Sequence, residues 1–145
     1  MLRFADGWLA LDGRSGVGSV LRLYQAALGR EPDPIGLGFW TKALETETLS
    51  LPETAQGFVN SVEFQARYGA PDSAGFVDLL YRDALGRAAD PEGLAYWTGA
   101  LDAGAITRVE AVLGFSESAE LAAALAPRFA VGVWAPDPAA SDILR

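Results

Sequence analysis

The sequence predicts a mainly α fold: two tandem three-helix units sharing one core, with a small antiparallel β element formed by the N- and C-terminal segments. Three observations predict it. The chain repeats itself with a shift of 57 residues, as from Tyr24 to Tyr81, and carries the string Leu-Tyr-x3-Leu-Gly-Arg twice. Apolar residues within each unit recur at helical spacing. Outside the repeat, each end carries a short aromatic-rich run that reads as strand, around Trp8 and Trp134.

Four segments follow: an N-terminal hairpin over 1–17, repeat 1 over 18–71, repeat 2 over 72–126, and a C-terminal strand and tail over 127–145. In the first, Leu2-Arg3-Phe4-Ala5 and Trp8-Leu9-Ala10-Leu11 flank Asp6-Gly7. Asp-Gly between two such runs signals a hairpin, with the glycine expected to supply a positive φ. Helix 1 is expected over Gly18 to Leu28, with Val20, Leu23, Tyr24, Ala27 and Leu28 on one stripe and Gly29 as its left-handed cap. Asp33 caps the second helix, with Pro34 at its first position and Leu37, Trp40, Ala43 and Leu44 along its face. Ser50-Leu51-Pro52-Glu53 is a capping box for a third helix reaching Tyr68.

Repeat 2 follows the same plan. Its first helix is expected over Ser73 to Leu85 and stops at Gly86; Asp90 and Pro91 open the next. Thr107-Arg108-Val109-Glu110 is a second capping box, for a helix ending near Leu125 with Pro127 as the stop. Residues Phe129 to Trp134 read as a strand expected to pair with the N-terminal segment, and the stretch after Pro136 reads as loose.

Composition removes several functions. The chain has no cysteine and no histidine, so thiolate chemistry, disulfides and the usual zinc, haem and iron–sulfur ligands are absent, along with the commonest general base. Nineteen acids against eleven bases give a net charge of -8, and no Lys/Arg cluster interrupts it, which argues against nucleic acid as a partner. No apolar run is long enough to span a bilayer, so no membrane insertion is expected. An acid, Asp6, stands where a cleavable signal peptide would be apolar.

The paired strings Leu-Tyr-x3-Leu-Gly-Arg and Asp-Pro-x-Gly-Leu-x-x-Trp, followed by Phe-x-x-Ser-x-Glu, together resemble a bacterial family known as domain of unknown function 4214, over about residues 18 to 123. The resemblance implies a helical module of the kind attached to secreted or surface proteins, some with calcium-binding nonapeptide repeats. It implies no enzymatic activity. The Gly-Gly-x-Gly-x-Asp string of such calcium repeats does not occur here.

Each candidate for chemistry meets a plainer reading. The stretches 29–33 and 86–90 could be calcium loops, but the second keeps only Asp90 among its acids, too few for a cation wanting six to eight oxygens. Gly29, Asp33, Gly86 and Asp90 are therefore read as helix caps. Arg30 with Glu63, and Arg87 with Glu120, are read as an ion pair within each unit. Trp40, Trp97, Tyr24 and Tyr81 are read as core. Trp8, Trp134 and Phe129 have no repeat counterpart, and are the candidate residues for binding a partner or a glycan. The acids suggest no converging pair, so no catalytic residue, metal site or cofactor is assigned.

The expectation is a non-enzymatic structural or adaptor module of an extracellular, cell-surface or phage-like particle assembly, with a protein partner. A module recognising surface polysaccharide is the alternative.

Overall fold

Each helix begins where a short polar side chain can accept a backbone N–H from the first turn. The computed structural model describes residues 1–139. Ser15 caps α1 (Gly16–Leu23), which widens into a π-helical turn over Tyr24–Leu28 and ends at Gly29, φ 63°. Asp33 caps α2 (Pro34–Glu45), Ser50 α3 (Leu51–Val59) and Ser61 α4 (Val62–Tyr68). In repeat 2, Asp72 caps α5 (Ser73–Leu85), which ends at Gly86, φ 65°. Asp90 then caps α6 (Pro91–Asp102), Thr107 α7 (Arg108–Ser116) and Ser118 α8 (Ala119–Ala130). Both left-handed glycines stand where a side chain on Cβ would be strained.

Two expectations about helices are corrected. The third helix of each unit is two helices, because Ser61 and Ser118 take the N–H groups of Phe64 and Leu121 and start a new helix in a new direction. Each unit thus has four helical segments. Pro127 does not stop α8, which runs on to Ala130. The proline removes the bond to the Ala123 carbonyl, and Ala123 and Pro127 both lie on the exposed side, where water can serve that carbonyl. Burial of Phe129 two residues further holds the continuation in place.

The terminal sheet has the order β1-β2-β3, with β1 Leu2–Phe4, β2 Gly7–Ala10 and β3 Val133–Pro136, both pairings antiparallel. The expected pairing of the two ends is present, but the C-terminal strand starts later, and Phe129 belongs to α8. The hairpin turn is Ala5-Asp6, closed by the Phe4–Gly7 pair. Gly7 has no positive φ. It is glycine because a Cβ there would strike the Ala135 carbonyl and stand 2.7 Å from the Trp134 indole.

One core runs through both units. Val17, Val20, Leu23, Phe64, Tyr68, Phe76, Val77, Leu80 and Leu121 are almost or wholly buried in it. The units meet where α5 packs on the π-helical turn and α3 packs on α7. Asp83 of α5 locks this seam. Its carboxylate accepts from Arg67 and from the Tyr68 hydroxyl, while the Asp83 carbonyl accepts from Gln25 Nε2 at 2.6 Å. Burial and the neighbouring Asp83 carboxylate push the Tyr68 hydroxyl far above its ordinary pKa. Arg108 fixes the connection between units through the carbonyls of Tyr68, 2.6 Å, and Pro71, 2.7 Å.

Candidate functional site

The repeated motif builds the same cluster twice. In repeat 1, Phe58 meets Tyr24 edge-on at 4.9 Å between ring centres and Trp40 at 5.0 Å. In repeat 2, Phe115 meets Tyr81 at 4.9 Å and Trp97 at 5.1 Å. The guanidinium of Arg30 lies over Tyr24, and that of Arg87 over Tyr81, both at 5.1 Å. Each arginine grips a glutamate with two bonds: Arg30 to Glu63 at 2.7 and 2.9 Å, Arg87 to Glu120 at 2.9 and 3.0 Å. These bonds hold Glu63 and Glu120 below the usual carboxylate range. Asp33 and Asp90 accept the Gly36 and Gly93 N–H groups as helix caps. Gly36 and Gly93 also leave room for the tyrosine hydroxyls, which a Cβ would strike. The arginines, glutamates and aspartates of the motif are thus each occupied by a partner within their own unit. Among the described residues no group of three or more acids could hold a metal ion.

The three candidate residues outside the repeat are not brought together on one surface. Trp8 is 4% exposed and faces the helices, with the Arg3 guanidinium over its ring at 4.3 Å. It belongs to the core side of the sheet. Phe129 is 5% exposed and lines a cleft of about 650 Å³ with Leu11, Arg22 and Glu117. Arg22 there donates to the Gly13 carbonyl at 2.5 Å and to Glu117 at 3.3 Å, so its charge is answered within the chain. Trp134 alone is open, at 42% exposure.

Strand register explains the difference. Arg3, Trp8 and Ala135 are cross-strand partners on the inner face, as are Ala10 and Val133. Leu2, Leu9 and Trp134 are partners on the outer face, as are Phe4, Gly7 and Pro136. Trp134 lies over Gly7, with Phe4 5.9 Å from it between ring centres. Leu2 is 49% exposed and Phe4 46%; among the described strand residues, none on this face is charged. Sequence reasoning missed Leu2, Phe4 and Leu9. The signal was the alternation in Leu2-Arg3-Phe4 and Trp8-Leu9-Ala10, readable only once the registers place Trp8 inward.

Asp137 clasps the sheet to the helices. It accepts from Arg3 at 2.8 Å, Lys42 at 3.0 Å and the Ala139 N–H at 2.9 Å, and its own N–H donates to the Asp6 carbonyl. Burial alone would raise its pKa; the Ala139 N–H and the two cations outweigh this and hold it below the usual value. The stretch expected to be loose is therefore anchored at Asp137; from 140 onward it lies outside the described residues.

The sheet packs chiefly on repeat 1. β3 packs on α2, and a Cβ at Gly38 would strike the Pro136 carbonyl. At the same position of repeat 2 stands Ala95, exposed, and α6 has no buried residue.

Two helical units of one design around a common core, with their motif residues spent on packing, define a tandem helical-repeat module. The chain belongs to the family described as Domain of unknown function (DUF4214), whose model matches residues 19–66 and 55–125. No curated protein and no solved structure matches the chain. Among the described residues, no helix is long and apolar enough to cross a membrane.

Proposed function

We propose that this protein is a non-enzymatic structural or adaptor module that docks a protein partner within an extracellular, cell-surface or phage-like particle assembly. One observation carries the reading: the outer face of the terminal sheet presents Leu2, Phe4, Leu9 and Trp134 to solvent without a charge among them. A contiguous apolar face around an exposed tryptophan is the usual anatomy of a docking surface. Catalysis has little to work with, since each arginine of the motif is paired to a glutamate and each aspartate caps a helix. The carbohydrate alternative is less well supported. The face offers aromatic rings, but its side chains supply one donor, the Trp134 indole N–H, and no acceptor to read sugar hydroxyls.

A photo-reactive amino acid at position 134, in cells that make the protein, tests this. The expected result is crosslinking to a defined polypeptide, with none from position 96 on α6. Absence of any protein adduct at 134, or capture of glycan there instead, overturns the reading.

A further inference from the structure

We infer that the polypeptide seated on this face is a second copy of the same chain, related by a two-fold axis through the two outer sheet faces; the inference rests on the docking reading above. Charge is the first argument. Copies carrying a net charge of -8 repel one another wherever acids face acids. The outer face escapes this, because Leu2, Phe4, Leu9 and Trp134 supply its side chains.

Shape is the second argument. A two-fold contact requires a patch that complements itself. A small twisted apolar sheet does so, since two such sheets pack face to face about 10 Å apart with their strands nearly aligned. Each Trp134 then lies against Leu2, Phe4 and Leu9 of the other copy. A three-stranded sheet covered on one side becomes a sandwich covered on both.

Area is the third argument. The exposed parts of Leu2, Phe4, Leu9 and Trp134, with the adjoining exposed Leu11, amount to roughly 500 Å² per copy, so the pair buries about 1,000 Å². That reaches the lower bound for a specific interface. A weak dimer, with a Kd on the order of 10 µM, is expected. Leu11 adjoins the sheet through Gly132, where an added Cβ would stand 3.0 Å from Leu9 and 3.5 Å from Leu11.

Sedimentation velocity on the whole chain, from about 1 µM to about 1 mM, reads the result. The wild type is expected to pass from monomer to dimer across this range. Trp134→Glu and, on the exposed edge strand, Leu2→Glu should each weaken the dimer at least about 30-fold, with the helical circular dichroism and melting temperature retained. Tyr96→Glu, on the exposed side of α6, should leave the dimer unchanged. A wild type that stays monomeric throughout overturns the inference, as does a dimer that survives both sheet variants or is lost in Tyr96→Glu. Should Trp134→Glu unfold the sheet, Leu2→Glu decides alone. A monomeric wild type whose position 134 still crosslinks another protein sinks the dimer and leaves the docking reading standing; a monomer with no crosslink sinks both.

Discussion

Small residues in this chain are set by what lies over them. Gly57 and Gly114 are exposed to no unusual φ; they sit beneath Trp40 and Trp97, where an added Cβ would stand 2.9 and 2.6 Å from the indole. Gly114→Ala should therefore displace Trp97 and destabilise the fold by about 1–3 kcal/mol, the usual penalty for overpacking. Chemical denaturation measures it; an unchanged midpoint would contradict the packing described. The 57-residue shift relates Gly57 to Gly114 as it relates Trp40 to Trp97, and the caps at Asp33 and Asp90 were readable from Asp-Pro alone. Hidden from it were the ring-over-glycine contact and the seam at Asp83, because both join residues distant along the chain. Trp8 and Trp134 looked alike as isolated aromatics. Only β-sheet register, which flips a side chain's face with a shift of one residue, separates them.

At the scale of elements, local capping decided more than periodicity did. An apolar stripe continues through Ser61 and through Ser118, and so suggested one long helix where two occur. Each serine hydroxyl also donates to the Phe58 or Phe115 carbonyl, at 2.6 and 2.8 Å, so it ends one helix as it starts the next. The Phe-x-x-Ser spacing in both units was the available signal. Pro127 shows the opposite case, where tertiary burial of Phe129 overrides a strong local stop. Since that proline forfeits a helical bond, Pro127→Ala should stabilise the protein by about 1–2 kcal/mol. A lowered melting temperature would mean that the proline serves α8 in some other way.

Across the whole molecule, the depressed carboxylates set the response to acid. Glu53 is held low by the Ser50 N–H, Glu63 and Glu120 by their arginines, Asp90 by the Gly93 N–H, and Asp137 by the contacts that outweigh its burial. Each binds a proton less readily folded than unfolded. Its stabilisation is therefore present above the unfolded pKa and is lost as pH falls through the folded one. The chain has no histidine, the side chain whose ordinary pKa lies nearest neutrality. The melting temperature should stay flat from about pH 8 to about pH 5.5 and decline below about pH 4.5. A decline beginning near pH 7 would contradict this. The mainly α architecture and the terminal sheet were legible from repeat, stripe and end composition. The asymmetry between α2 and α6 was not, because it depends on which unit the sheet covers.

That sheet has a mechanical consequence. β1 and β3 lie on either side of β2 and run parallel to each other, so the chain enters at the Leu2 end and leaves past Pro136 at the opposite end. Tension applied through the two flanks acts along the strands, at right angles to the backbone bonds of both ladders. Those bonds must yield together in shear, and cannot be peeled one at a time. A unit threaded this way into a larger polymer would carry load through its smallest element while the helices stay slack.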